Sequence, residues 1–162
     1  MVSQSPRARL ASERAPEELI RELCSLTREA VVSLADAVQA LATHPVPQVR
    51  AEALGALLVT GRVASLRGTA VRAISRDGDE YVRAKAAFGI AATSTDDTRR
   101  EDLVLLLRVL RNEHETNEVR RSAYEALLML FGSPEFPDSI EDFDPATDVD
   151  WGWIREIEML YG

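Results

Sequence analysis

The chain has 162 residues, 46% of them hydrophobic and 28% charged, which suits one domain or a short run of repeats. No stretch nears the roughly 20 unbroken apolar residues that cross a bilayer, and Met1 to Arg9 lacks the apolar core of a signal peptide, so no membrane contact and a cytoplasmic location are expected. Cys24 is the only cysteine, which excludes an internal disulfide or a multi-cysteine zinc site, and the whole net charge of −8 falls in residues 134–162.

Residues 1–133 balance 18 basic against 18 acidic side chains, whereas residues 134–162 set Arg155 against nine acids. Three parts follow: a flexible lead over residues 1–14, a repeat array over 15–133 and an acidic segment over 134–162. Pro16 suits the first turn of a leading helix. Thr27-Arg28-Glu29 opens a second, with its apolar stripe at Val31, Leu34, Ala35, Val38 and Leu41. Beyond the punctuation of Pro45 and Pro47, Val49, Ala53, Ala56 and Leu57 fall at i, i+4, i+7 and i+8, one face of a helix.

Past Gly61, Leu66, Ala70 and Ile74 mark the next helix. The turn Asp77-Gly78-Asp79 then leads into Val82, Ala86, Gly89 and Ile90, the same four positions again. Ser94-Thr95-Asp96-Asp97 is expected to cap the helix that carries Leu103, Leu106, Leu107 and Leu110. Val119, Ala123, Ala126 and Leu127 make a third copy, which Gly132 and Pro134 end. The copies superimpose without gaps at offsets of 33 and 37 residues. Small residues at i+4 and i+7 let neighbouring helices approach closely, as stacking demands. No window alternates apolar and polar residues over a useful length, so the fold class is all-α.

The acidic segment holds both tryptophans. Asp150 is placed to cap a last helix through Tyr161, with Trp153, Ile157 and Leu160 packing on the final repeat at i, i+4 and i+7. Asp142, Asp144, Asp148 and Asp150 alternate like a calcium loop, but Ala146 sits where a ligand belongs and the sixth position lacks glycine. No metal or cofactor is expected. The functional alternative to a plain cap is a binding surface made by Trp151, Trp153 and these four carboxylates.

The valine–arginine pair heading each copied helix resembles the HEAT-repeat family, especially the short HEAT-like units first noted in phycobilisome lyases. Asp77-Gly78-Asp79-Glu80-Tyr81-Val82-Arg83 carries that family's acidic turn followed by Val-Arg. His44-Pro45-Val46-Pro47-Gln48-Val49-Arg50 keeps the proline turn without the acids, and Glu115-Thr116-Asn117-Glu118-Val119-Arg120 keeps one acid beside the valine. The resemblance covers residues 27–132. It implies a short right-handed α-solenoid of HEAT-like helix pairs with a C-terminal capping helix. Arg50, Arg83 and Arg120 repeat with the scaffold and read as ties between adjacent turns.

Second helices commonly line the concave face of HEAT-like proteins, so the resemblance implies a basic groove. Residues 61–76 carry Arg62, Arg67, Arg72 and Arg76 with no acid; residues 99–111 carry Arg99, Arg100, Arg108 and Arg111 against Glu101 and Asp102. Arg72 and Arg76 share a face, as do Arg108 and Arg111. The competing reading is an ordinary solvated surface.

The chemistry of an enzyme is not visible. His44 and His114 are the only histidines, two repeats apart, and nothing marks an activated nucleophile. HEAT-like DNA glycosylases bind nucleic acid with aromatic residues beside a basic face, but the repeat region has only Tyr81, Phe88, Tyr124 and Phe131, and a net −8 repels a polyanion. The leading expectation is a non-enzymatic protein–protein interaction module, its partner another protein, basic if the acidic segment meets it. Its best-defined subtype is an immunity-type inhibitor of a basic toxin or enzyme, because some bacterial immunity proteins are HEAT-like and similar in size and charge. The alternatives are a nucleic-acid-binding, glycosylase-like protein and a lyase-like accessory protein. The sequence leaves open the oligomeric state and whether the acidic segment docks on the basic second helices.

Overall fold

A computed structural model describes residues 5–11, 13–132 and 143–162. Every regular element among these is a helix: α1 Pro6–Arg9, α2 Pro16–Ser25, α3 Arg28–Ser33, α4 Ala35–Leu41, α5 Pro47–Leu54, α6 Arg67–Arg76, α7 Glu80–Thr93, α8 Arg99–Arg111, α9 Asn117–Phe131 and α10 Trp151–Tyr161. A π turn, Gly55–Thr60, continues α5, and a 3-10 turn, Ala64–Leu66, runs into α6. No helix is long and apolar enough to cross a membrane among the described residues.

The starts and stops follow local chemistry. Pro16 and Pro47 open α2 and α5, where a missing N–H costs nothing. Thr27, Asp79 and Thr116 each accept a backbone N–H at the start of α3, α7 and α9, satisfying amides that lack a partner within the helix. Gly132 closes α9 at φ 71°, a left-handed conformation that a side chain disfavours.

The copied helices pack in series, α2 on α5, α5 on α7 and α7 on α9; α6 rests mainly on α7, α8 on α9, and α10 on α8. The repeated apolar positions account for this. Val49, Val82 and Val119, Ala53, Ala86 and Ala123, and Leu57, Ile90 and Leu127 are all buried. Gly89 marks a close approach, because a Cβ there would lie 2.7 Å from Leu58 Cδ1 on the π turn. The copied helices α5, α7 and α9 are thus neighbours, each packed on the next.

Three local expectations are corrected, and part of the N-terminal lead is described. The helix opened by Thr27 breaks at Leu34 (φ −112°, ψ 14°), whose N–H is shared between the Ala30 and Val31 carbonyls; Val31, Val38 and Leu41 still reach the core. The residues at Ser94–Asp97 do not cap α8. Thr98 precedes that helix, its hydroxyl bonding the Asp102 carboxylate, and Ser94 Oγ is buried without a hydrogen-bond partner among the described residues. Of the stripe expected at Trp153, Ile157 and Leu160, Ile157 is buried and Trp153 packs against the core, but Ile154 joins them and Leu160 is 74% exposed. Within the lead expected to be flexible, residues 5–11 contain α1; Leu10 is buried and Arg9 lies 3.3 Å from Glu22.

Candidate functional site

Seven residues after Gly78, the α7 register places Lys85 outward and Arg83 toward the turns that join one unit to the next. The repeated arginines form a ladder there. Arg50 donates from Nε and Nη2 to both Asp77 oxygens (2.9 and 2.7 Å) and from Nη1 to the carbonyls of His44 and Pro45. One unit on, Arg83 donates to both Glu115 oxygens (3.0 and 2.6 Å) and to the Asp77 carbonyl. Arg120 donates to the Leu110 carbonyl at 2.8 Å. Burial pushes the Asp77 and Glu115 carboxyls up, but the guanidinium bonds, a backbone N–H each and the arginine charges outweigh it and hold both below the usual carboxylate range. These arginines tie turns together, as their periodicity suggested.

The arginines of the second helices divide differently. Arg67 is paired with Asp102, a fully buried carboxylate, and so links the start of α6 to the start of α8. Arg99 reaches Asp96 at 3.3 Å. Arg111 forms a two-bond pair with Glu158 of α10 (2.7 and 2.8 Å) and lies over the Trp151 ring at 5.9 Å. Among the described residues, Arg72 bonds only the Thr69 hydroxyl, at 3.2 Å. Arg76 and Arg108 are exposed and have no carboxylate partner among the described residues. They stand on either side of a groove of about 530 Å³ between the C-terminal halves of α6 and α8, also lined by Ile74, Val109, Asp77, Arg83 and Glu115.

Of the four arginines expected to share a basic face, the structure therefore brings Arg76 and Arg108 together, keeps Arg72 one turn earlier on α6, and turns Arg111 away toward α10. A spacing of three along α8 leaves about 60° between side chains, enough here to send Arg108 into the groove and Arg111 to the opposite neighbour. An adjoining trough of about 360 Å³ is lined by Arg100, Glu101, Val104, Leu105 and Arg108. Val104 is 58% exposed. Sequence reasoning passed over Val104 because it lies outside the buried leucine stripe; its position midway between Arg100 and Arg108 at i, i+4 and i+8 was the available signal.

In the acidic segment, Asp144 and Asp148 close a turn. Asp148 Oδ2 accepts the Asp144 N–H at 2.7 Å and Asp144 Oδ1 accepts the Ala146 N–H at 2.9 Å. Asp150 Oδ1 accepts the Trp153 N–H at 2.9 Å, the expected cap. Asp142 lies outside the described residues. Trp151 is half-buried, its indole N–H donating to the Pro145 carbonyl at 2.9 Å, and Trp153 meets the edge of the buried Tyr124 ring at 6.2 Å. Both tryptophans thus work inside the fold, and α10 docks on α8 rather than across the groove.

Other titratable groups are locally engaged. His44 is buried and its Nδ1 accepts the Val46 N–H at 3.1 Å; His114 is exposed in a turn. On the face opposite the second helices, Glu52 accepts from Tyr81 Oη at 2.8 Å and from Cys24 Sγ at 3.6 Å, with Lys85 at 3.8 Å. Burial, and then the hydrogen bond and charge of Glu52, push the Tyr81 hydroxyl up to about 12, and burial with the charge and hydrogen bond of Glu52 raises the Cys24 thiol. No group of three metal-binding side chains occurs among the described residues. No protein-family model, curated protein or solved structure matches the chain.

Proposed function

We propose that this protein is a non-enzymatic, cytoplasmic protein–protein interaction module, built as a short right-handed α-solenoid of HEAT-like helix pairs with α10 as its C-terminal cap. The serial packing of α2, α5, α7 and α9, with α6 and α8 laid over them, supports the architecture. The observation that carries the function is the division among the arginines. Arg50 and Arg83 are engaged by carboxylates and carbonyls and Arg120 by a carbonyl, while Arg76 and Arg108, which have no carboxylate partner among the described residues, line an open groove. An exposed guanidinium without an internal partner keeps its donors for another molecule.

A second reading, the immunity-type inhibitor, places the carboxylates of residues 134–162 against a basic toxin. Asp144 and Asp148 use oxygens to close their turn, Asp150 caps α10 and Glu158 holds Arg111, so that charge is partly engaged within the fold. The groove reading is therefore preferred. The test is affinity capture from a native lysate, followed by titration calorimetry with each purified candidate. A saturable protein partner supports the module, and an acidic partner favours the groove over the tail. A lysate that yields no saturable protein partner overturns it.

A further inference from the structure

We infer that the groove between α6 and α8 receives an acidic, amphipathic segment of the partner protein, with carboxylates on Arg76 and Arg108 and an apolar side chain against Val104 and Leu105; this rests on the interaction-module reading above. Charge complementarity supplies the occupant. The groove's own acids, Asp77 and Glu115, are each held by two bonds from Arg50 and Arg83, so their charge is already answered. The unanswered charge at the rim is positive, from Arg76 and Arg108. Planar guanidinium groups recognise carboxylates through paired hydrogen bonds, which suits Asp or Glu side chains.

Shape says that the ligand is extended. The groove and the trough meet at Arg108, so the lined surface runs along α8 from Arg100 to Asn112. At 1.5 Å per residue that is roughly 18 Å, the length of a three-turn helix or a five- to six-residue strand. The apolar floor is aliphatic, made by Ile74, Val104, Leu105 and Val109. A nucleic acid is the poorer fit, because bases stack on aromatic side chains and a phosphate backbone follows a longer basic track. Neither lining contains an aromatic residue, and two carboxylates sit within the groove.

The test is selection of random 12-residue peptides displayed on phage against the full chain, with winners resynthesised, fluorescein-labelled and measured by anisotropy. Selected peptides should be enriched in Asp and Glu flanking Leu, Ile or Phe. Arg76→Ala with Arg108→Ala should weaken them at least tenfold, and Val104→Asp should do the same, while the thermal midpoint holds. Peptides without acidic enrichment, or equal affinity for the double variant, would overturn the proposal. So would tighter, Arg76- and Arg108-dependent binding of a 20-residue oligothymidylate, which would make the groove a nucleic-acid surface. Self-association abolished by Arg76→Glu with Arg108→Glu in sedimentation would give the groove to a second copy and also overturn it. The two readings separate cleanly: a captured partner that binds the double variant with full affinity removes the groove and leaves the module standing.

Discussion

Arg83 and Arg76 lie seven residues apart and line the same groove, yet they do opposite things. Arg83 points along the array and meets Glu115, an acid that the next turn delivers to it. Arg76 ends α6, and no turn brings it a carboxylate among the described residues. Arg50 and Arg83, on copied helices, are matched by Asp77 and Glu115 of the next turn, whereas Arg76 and Arg108 are exposed with no carboxylate partner among the described residues; Arg111, which also ends a second helix, is matched by Glu158 of α10. The role of an arginine in this protein depends on whether the neighbouring unit supplies its anion.

Removing anions and cations in turn tests that contrast, beginning with the most buried. Asp102→Ala should cost about 3 kcal/mol, since it strips Arg67 of its buried partner and removes the acceptor of the Thr98 hydroxyl's shortest donated bond; a chemical-denaturation midpoint within error of the wild type would break the argument. Arg83→Ala comes next, at about 2 kcal/mol, because it leaves the Asp77 carbonyl without its side-chain donor and the partly buried Glu115 with only the Thr116 N–H. If it melts like the wild type, the ladder is decorative.

Acid should expose the same row. Asp77, Glu115 and Glu158 have folded-state pKa values below their unfolded ones, the last chiefly through its hydrogen bond with Arg111. Their stabilisation is complete above the unfolded carboxylate pKa of about 4 and is lost as pH falls through the lower folded values. Melting temperature should therefore drop below about pH 4, and the drop should shrink in Glu115→Gln. An unaltered acid limb in that variant contradicts the assignment. Glu125, pushed up by burial, contributes in the opposite sense, losing stability as pH rises past the unfolded value.

Smaller effects complete the series. Arg111→Ala should cost less than about 1 kcal/mol, because its pair with Glu158 is well exposed. Arg76→Ala and Arg108→Ala should each stay within about 0.5 kcal/mol in the same unfolding assay. A larger loss for either would mean that it belongs with the structural row after all.

The helical class and the buried repeat positions were legible because they depend on local periodicity: Val49, Val82 and Val119 could be aligned by eye, and each is buried. Asp150 could be read as a cap for the same reason. What escaped depends on distant partners. Arg111 looked equivalent to Arg108 until Glu158, 47 residues on, claimed it. Asp102 counted as one acid among surface charges, whereas Arg67, 35 residues earlier, holds it in the core. Leu160 fitted a stripe with Trp153 and Ile157, but the docking angle of α10 favours Ile154. Ion-pair partners and helix docking angles are set by tertiary geometry, which a one-dimensional spacing does not contain.

The Arg67–Asp102 link has a mechanical consequence. It joins α6 and α8 near their N-terminal ends, while Arg76 and Arg108 lie toward the other ends, and α6 rests mainly on α7 and α8 on α9 rather than on each other. The two helices thus resemble the arms of a pair of tweezers, pinned at the base and separate at the tips. A load applied across Arg76 and Arg108 acts with the longest lever arm about the pinned end, so a change in spacing at the tips becomes a change in tilt between successive units. On the proposal above, a ligand held between the tips would thus set the tilt of α6 against α8.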